Sequence, residues 1–271
     1  MPFADFDDVR IHYKQRGEGP VVLGIMGFGL DQRFWAAQVP TITAHHTFLT
    51  LDNRGTGRST GAPSTTIEEM ADDAVHLLDH LGVERAIVFG ASMGGAIAQR
   101  IALDHPDRVS ALILAVTWAR PIEFMRRQET LARTVIRGGG PEALVEASLV
   151  RMFTPRFFEI GAEAIDQMLR AFEGESGAGM LASEEVLEAQ LDAISKHDVL
   201  ADMPRIECPT LVVGGRMDMM VPYFASEEIA AAIPGAELAT FETGHALMFE
   251  EMDPFNARLE EFLTRVDRGL R

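Results

Sequence analysis

Residues 90–95 join an apolar run to a helical pattern with no intervening loop. Residues 87–89 before this segment are apolar and partly β-branched, which is typical of a buried strand. After it, apolar residues from Ala96 to Ala102 recur at the spacing of a helix. The sequence therefore predicts a strand that passes through one tight turn directly into a helix.

Ser92 lies at the apex of this predicted turn, two residues after Gly90 and two before Gly94. Such a turn strains the backbone of its central residue, and small neighbours let the chain segments pass without Cβ clashes. The hydroxyl is then exposed at the carboxyl edge of a sheet, beside the positive end of a helix. We predict that Ser92 is a nucleophile. The alternative is a glycine-rich turn whose serine only faces solvent.

The length, net charge and cysteine content of the chain restrict its domain number, its binding partners and its cellular compartment. The 271 residues fit one large domain with an insertion. The 24 Lys and Arg residues against 41 Asp and Glu give a net charge of −17, which disfavours nucleic acid and anionic membranes. The single cysteine, Cys208, fits a reducing compartment. Residues 1–8 show no signal peptide, and no apolar run approaches the ~20 residues of a membrane helix, so we expect a soluble cytoplasmic protein.

Apolar runs and helical periodicity alternate along most of the chain. Strands are predicted at residues 9–13, 21–25, 47–51, 87–89, 109–116, 210–214 and 237–241. A helix is predicted over residues 67–81, with Thr66 and Glu69 as a capping box, and a last helix opens at Asp253-Pro254. This alternation predicts an α/β fold with a mostly parallel sheet and helices on both faces.

The alternation stops between residues 118 and 200, where the pattern is helical throughout and glycines at 138–140 and 174–179 separate the pieces. We expect a core formed by residues 1–118 and 201–271, with residues 119–200 as a helical cap, or lid, over the carboxyl edge of the sheet. The alternative is a helical layer that merely extends the core.

Together, the serine turn, the order of strands and the helical insertion resemble the α/β-hydrolase fold family over essentially the whole chain. Within that family the chain is most similar to lidded serine esterases and lactonases, including enol-lactonases and acyl-homoserine lactonases. Residues 52–59, Asp-Asn-Arg-Gly-Thr-Gly-Arg-Ser, match the Asp-x-Arg-Gly-x-Gly-x-Ser turn of such enzymes. We interpret this turn as structural, with Asp52 and Arg54 tying loops together, because it lacks the Gly-Lys-Ser/Thr ending of a phosphate loop.

A serine nucleophile needs a base, and the base needs an orienting carboxylate. Among eight histidines, His245 follows the last predicted strand and precedes the last helix. Asp218 lies in the loop that leaves the strand at residues 210–214. The chain order Ser92, Asp218, His245 is the order that this fold uses. The alternative for Asp218 is that it only caps the helix that starts near Pro222.

The resemblance also implies an oxyanion hole made of two backbone N–H groups. One belongs to Met93, directly after the nucleophile, and the other to Phe28, in the loop after the strand at residues 21–25. The common family motif begins His-Gly at this loop, whereas this chain has Met26-Gly27. A backbone oxyanion hole survives that change, but it loses a side chain that often steadies the loop.

The substrate is predicted from the residues that fall where a lidded pocket would be lined. These are Met125, Met152, Phe153, Met217, Met219 and Met248. Methionine and phenylalanine form an adaptable apolar wall, which favours hydrophobic acyl substrates, although ordinary core packing is the alternative for each residue. No cluster has the spacing of zinc ligands, so we expect neither a metal nor a cofactor.

We therefore predict a serine hydrolase that cleaves carboxylic esters or lactones of small molecules through an acyl-enzyme. A cofactor-free haloperoxidase, an acyltransferase and a carbon–carbon bond hydrolase use the same constellation and are alternatives. A slow-turnover ligand receptor is an alternative of another class.

Overall fold

One eight-stranded sheet organises the molecule in the computed structural model, which describes residues 2–173 and 181–269. The strands are β1 Phe3–Phe6, β2 Val9–Arg16, β3 Val21–Ile25, β4 Thr47–Leu51, β5 Ala86–Ala91, β6 Val109–Ala115, β7 Thr210–Gly215 and β8 Glu237–Phe241. Their order across the sheet is β1-β2-β4-β3-β5-β6-β7-β8. Strands β1 and β2 are antiparallel to their neighbours, and every pair from β4 onward is parallel. This confirms the predicted mostly parallel α/β sheet.

Strand β1 was not predicted from the sequence. It is an edge strand of four residues in which only Ala4 is buried, so its hydrophobic pattern is too weak to read. The strands at the centre of the sheet are buried almost throughout, and their apolar runs match the predicted ones.

Helices cover both faces of the sheet, as predicted. The helices are α1 Val39–Thr43, α2 Ile67–His80, α3 Met93–Asp104, α4 Glu123–Met152, α5 Pro155–Ile160, α6 Ala162–Glu173, α7 Glu184–Lys196, α8 Phe224–Ala232, α9 Leu247–Glu250 and α10 Met252–Gly269. Apolar side chains of α2, α3 and α8 form one core cluster with the sheet, and those of α1 and α10 belong to a second.

The second core cluster has an aromatic centre. The fully buried Trp35 ring lies 4.5 Å from the Phe89 ring, centroid to centroid, and the ring of Phe255 in α10 lies 6.2 Å from that of Phe89. Each fully buried side chain of this kind stabilises the fold by about 1.5–3 kcal/mol. Helix α10 begins at Met252, one residue before the predicted start, so Asp253 lies in its first turn. A carboxylate there stabilises the helix, because its negative charge faces the positive end of the helix dipole.

Within the described residues, the α-helices α4 to α7 lie between β6 and β7. Helix α4 begins at Glu123, although the sequence showed clear periodicity only after the glycines at 138–140, and it is kinked at Gly140, where φ is 76°. The predicted glycine break at 174–179 lies outside the described residues. In the part of the chain that the structure describes, no helix combines the length and apolarity needed to cross a membrane.

The loops that carry Ser92, Asp218 and His245 follow strands β5, β7 and β8. Since these strands are parallel, all three loops emerge at the same carboxyl edge of the sheet. Open α/β sheets bind their ligands at this edge.

Candidate active site

Ser92 has a strained backbone at the junction of β5 and α3. Its φ of 55° and ψ of −120° lie in a region that residues with a Cβ rarely occupy. Several hydrogen bonds hold the turn: Ser92 N–H donates to Ala115 O at 2.9 Å, and Thr117 Oγ donates to Ser92 O at 2.8 Å. The surrounding strands and helix therefore impose this conformation.

Two glycines make the sharp turn possible. A Cβ on Gly94 would lie 2.0 Å from Ile25 O, and a Cβ on Gly90 would lie 2.1 Å from Gly94 O. Both distances are too short for any side chain to relieve, because the obstructing atoms belong to the backbone. The small residues that the sequence placed around Ser92 are thus required by close approach of the chain to itself.

His245 and Asp218 form a buried pair. Nδ1 of His245 lies 2.7 Å from Oδ2 of Asp218, and the two residues are 8% and 7% exposed. The 27 residues that separate them span strand β8, and the loops at the ends of β7 and β8 bring the side chains together.

Asp218 also caps its own loop. Its other oxygen, Oδ1, accepts hydrogen bonds from the N–H groups of Met220 at 2.7 Å and Val221 at 2.9 Å. The alternative that Asp218 caps the following helix is wrong, because α8 begins at Phe224 and has no side-chain cap; the carboxylate binds N–H groups of its own loop instead. One carboxylate oxygen fixes the loop, which leaves the other aimed at the imidazole.

Ser92 and His245 line the same cavity, which has a volume of about 90 Å³. We name this cavity the methionine chamber, because Met26, Met152, Met220 and Met248 contribute to its largely apolar wall. The inserted helix α4 supplies part of that wall through residues 144, 145, 148, 149 and 152.

A second cavity, of about 80 Å³, shares Ser92 with the first. We name it the arginine chamber, because its lining includes Arg151 together with Gln128 and Glu129. Phe28, Leu144, Ser148 and Met220 border both chambers. Ser92 therefore lies between an apolar space and one that contains charged groups.

The loop after β3 passes beside Ser92. A Cβ on Gly27 would lie 3.0 Å from Ser92 Cβ and 3.6 Å from Met93 N. Met93 opens helix α3 and is fully buried. The loop that carries Phe28 is thus adjacent to the backbone N–H that follows the serine.

Two side chains hold this loop, and neither was identified from the sequence. Asn53 Nδ2 donates to Met26 O at 3.0 Å, and Gly29 N–H donates to Gln190 Oε1 at 2.8 Å. Asn53 belongs to the 52–59 motif, which was the one available signal. Gln190 lies on α7, 161 residues from Gly29, so no local pattern could have indicated it.

The 52–59 turn makes contacts that tie loops together. Asp52 accepts hydrogen bonds from the N–H groups of Gln32 and Arg58, both at 3.0 Å, and lies 2.7 Å from His12 Nδ1. Arg54 donates twice to Asp73 of α2, at 2.6 Å each. Burial raises the pKa of Asp73, and the hydrogen bond from Arg54 opposes that rise.

The predicted pocket residues divide into two groups. Met152 and Met248 line the methionine chamber, and Met125 lines the arginine chamber. The prediction differs from the structure for Phe153, Met217 and Met219, which line neither chamber. Phe153 packs in a small core cluster, and Met217 and Met219, on either side of the buried Asp218, are 45% and 53% exposed. Among residues 2–173 and 181–269, no group of three or more potential metal ligands occurs.

Comparisons with known proteins agree with this architecture. The family model described as the alpha/beta hydrolase fold matches residues 20–252. A protein of Azorhizobium caulinodans, provisionally named carbamate hydrolase RutD, is 32% identical over 270 residues, which cover 99% of this chain and 100% of the relative.

Two solved structures are similar over nearly the whole chain. The enol-lactonase from Burkholderia xenovorans LB400 is 29% identical with a TM-score of 0.86, covering 97% of this chain and all of the other. An N-acyl homoserine lactone degrading enzyme is 27% identical with a TM-score of 0.82, covering 96% of this chain and all of the other. The chain therefore belongs to the α/β-hydrolase family.

Proposed function

We propose that the protein is a serine hydrolase that cleaves carboxylic esters or lactones through an acyl-enzyme, with Ser92 as nucleophile, His245 as base and Asp218 as orienting acid. The observation that carries the proposal is the 2.7 Å contact between His245 Nδ1 and Asp218 Oδ2, at a cavity whose wall also contains Ser92. Nucleophilic catalysis requires a buried imidazole held by a carboxylate and a strained serine that opens onto the same cavity.

The reaction proceeds in two halves. His245 Nε2 accepts the proton of Ser92 as Oγ attacks the substrate carbonyl carbon, and the imidazolium that forms is stabilised by Asp218. When the bond to the leaving oxygen breaks, His245 delivers the proton to that oxygen. Water then attacks the acyl-enzyme with His245 again as base, which releases the acid and restores Ser92.

The developing oxyanion is held by the backbone N–H groups of Phe28 and Met93 in this proposal. Support comes from the approach of the Phe28 loop to Ser92 and from the position of Met93 at the start of α3. Two N–H donors fixed before the reaction stabilise negative charge without reorganisation. The replacement of the usual histidine by Met26 leaves this chemistry intact, since Asn53 holds the Met26 carbonyl.

The inserted residues 119–200 act as a cap over the core of residues 1–118 and 201–271. Residues 144–152 of α4, together with Leu181, contribute to the walls of the chamber beside Ser92. A pocket built jointly by core loops and an inserted segment excludes water when the insertion is seated.

Substrate class follows from the methionine chamber and from the relatives. An adaptable apolar wall suits a hydrophobic acyl or alkyl group. The names enol-lactonase and N-acyl homoserine lactone degrading enzyme favour esters and lactones. The name carbamate hydrolase makes a carbamate the second candidate, because a carbamate carbonyl is attacked in the same way.

A substrate panel tests the proposal. We expect turnover of short- and long-chain 4-nitrophenyl esters, acyl-homoserine lactones or enol lactones by the wild type, and a loss of about 10⁴–10⁶ in the Ser92→Ala variant. An aryl carbamate in the same panel decides the second candidate. Near-normal hydrolysis by Ser92→Ala would refute the mechanism, and binding without turnover of any compound would identify a receptor.

A further inference from the structure

Arg151 lies in the last turn of α4 and lines the arginine chamber, which Ser92 also lines. Its described partners are all neutral. Nε donates to Ala147 O at 3.0 Å, Nη1 donates to Gln128 Oε1, and Nη2 makes a long contact of 3.4 Å with Ser148 Oγ. A guanidinium has five N–H donors, so at least two remain for another acceptor.

Other arginines of the same helix are paired differently. Arg127 contacts Glu123 at 2.9 Å, Arg137 contacts Glu188 at 3.2 Å, and Arg133 contacts Glu188 and Asp192. For Arg151, no such carboxylate partner occurs within the described residues, although the chain has 41 acidic residues. Burial alone lowers the pKa of Arg151, which is the consequence of a half-buried cation that lacks a counter-charge.

The protein holds this uncompensated cation in place. The kink at Gly140 folds α4 back so that Gln128 and Arg151, 23 residues apart, meet. Gln128 Nε2 also donates to Met219 O at 2.5 Å and to Met220 O at 3.2 Å. The guanidinium is therefore linked through one amide to the loop that carries Asp218.

The other charged residue in the chamber is Glu129. Burial raises the pKa of Glu129, and the nearby cations Arg133 and Arg126 only partly oppose that rise. The charged form of Glu129 is thus disfavoured, and no hydrogen bond joins it to Arg151 among the described residues. Arg151 is left as the group that an incoming anion can neutralise.

We propose that Arg151 binds a carboxylate at the far end of the substrate's acyl fragment, so that the natural substrates include half-esters of dicarboxylic acids or lactones with an anionic acyl side. This inference rests on the proposed function. His245 lines the methionine chamber and must deliver a proton to the leaving oxygen, which places the alcohol part there. The acyl part then extends from Ser92 into the arginine chamber, where a guanidinium binds a carboxylate bidentately.

Matched esters test this assignment. Mono-4-nitrophenyl esters of adipic, pimelic and suberic acids carry a terminal carboxylate, and their mono-amide counterparts are neutral and of equal length. We expect the wild type to favour at least one acid over its amide by about tenfold or more in kcat/KM. Within the Arg151→Gln variant, the ratio of kcat/KM for the acid to kcat/KM for its amide is expected to fall to about one, and Arg151→Lys restores part of that ratio.

Two controls isolate the position of the charge. Arg127→Gln removes an arginine of the same helix whose side chain is 81% exposed, and it leaves the preference intact. The ester 4-carboxyphenyl butyrate carries its carboxylate on the alcohol side, and the ratio of its kcat/KM to that of 4-nitrophenyl butyrate is expected not to change in Arg151→Gln.

The outcomes separate this inference from the proposed function. Equal turnover of acids and amides by the wild type, or a preference that survives Arg151→Gln, overturns the inference while the esterase stands. A fall in the ratio of kcat/KM for 4-carboxyphenyl butyrate to that for 4-nitrophenyl butyrate in Arg151→Gln overturns the placement of the acyl part. If no ester is hydrolysed, the proposed function fails, and calorimetric titration then tests the carboxylate site by itself. Tighter binding of adipate, pimelate or suberate than of their diamides, lost in Arg151→Gln, supports the site. Equal binding of the diacids and the diamides refutes the site.

Discussion

The backbone N–H of Gly29 donates to Oε1 of Gln190 at 2.8 Å, and this joins the loop after β3 to the inserted helix α7. The carbonyl of Gly29 is bound as well, because Ala182 N–H donates to it at 2.9 Å, and Leu30 pairs with Leu181 in an isolated bridge. The segment that carries the proposed oxyanion donor Phe28 is thus fixed from the insertion. Gln190 is a positioning residue in this arrangement.

Replacing Gln190 by methionine tests this coupling. The change keeps length and removes the acceptor, so the N–H of Gly29 loses its partner and the Phe28 loop shifts. We expect kcat for a 4-nitrophenyl ester to fall about ten- to hundredfold with KM little changed, because a small displacement of an oxyanion donor acts on the transition state.

Gln99 provides the matched control for this experiment. It is also fully buried, but it binds Trp118 O and His197 rather than the loop after β3. Gln99→Met therefore reports the general cost of losing a buried amide, measured as thermal unfolding. A fall in kcat for Gln190→Met no larger than that for Gln99→Met would contradict the positioning role.

The sequence predicted the framework because short-range patterns determine it. Apolar runs located β3, β4 and β8 at their observed bounds, and the glycines around Ser92 located the turn between β5 and α3. The edge strand β1 was missed because only one of its four residues is buried. The first half of α4 was missed because few of its residues are buried, and these pack against segments distant in the chain. The hydrophobic pattern of a segment indicates which of its residues are buried, but it does not indicate which other segments they pack against.

The site was predictable only in part for the same reason. Chain order indicated which serine, acid and histidine to consider, and the structure brings Asp218 into contact with His245. The exposure of Met217 and Met219 has no signature in composition, because methionine suits both core and surface loops. Gln190 and Arg151 gain their environment from the inserted helices, and helical periodicity does not fix how such helices are placed.

Ser92 offers a test of stored backbone strain. With φ at 55°, alanine at this position keeps the unfavourable Cβ, whereas glycine removes it. Both variants lack the nucleophile. We expect Ser92→Gly to exceed Ser92→Ala in free energy of unfolding by about 1 kcal/mol, measured by urea denaturation.

The opposite order is expected at Gly138, which is exposed in α4 and where an added Cβ meets no atom within 4 Å. There Gly138→Ala stabilises the protein by about 0.5–1 kcal/mol, since the helix loses less backbone entropy on folding. If alanine were also the more stable residue at position 92, the turn would not be strained.

Asp218→Asn separates the two roles of this carboxylate. Asparagine retains an oxygen that can accept from the N–H groups of Met220 and Val221, so the loop is expected to keep its conformation. The amide does not stabilise the imidazolium of His245 and favours the wrong tautomer, so kcat falls by about 10⁴. Steady-state rates together with unchanged circular dichroism check this, and a loss below about tenfold would show that His245 works without its carboxylate.

His197 makes the stability of the fold depend on pH. Burial, with a smaller contribution from Arg100, lowers its pKa from 6.5 to about 3. Its Nε2 lies 2.8 Å from Gln99 Oε1, while Nδ1 has no partner among the described residues. In the unfolded chain the imidazole takes up a proton near pH 6.5. Between pH 6.5 and about 3 the unfolded state therefore binds more protons, and the free energy of unfolding falls as the pH falls.

The histidine's contribution to stability is complete above pH 6.5 and is lost progressively through that window. From pH 7 to pH 5 we expect the wild type to lose about 2 kcal/mol more than His197→Gln, in urea titrations at both pH values. His105→Gln is the control, because His105 lies at the surface beside Asp72 and its replacement leaves the wild-type difference in place. Equal losses in the wild type and His197→Gln would mean that the imidazole at position 197 is already charged in the folded protein.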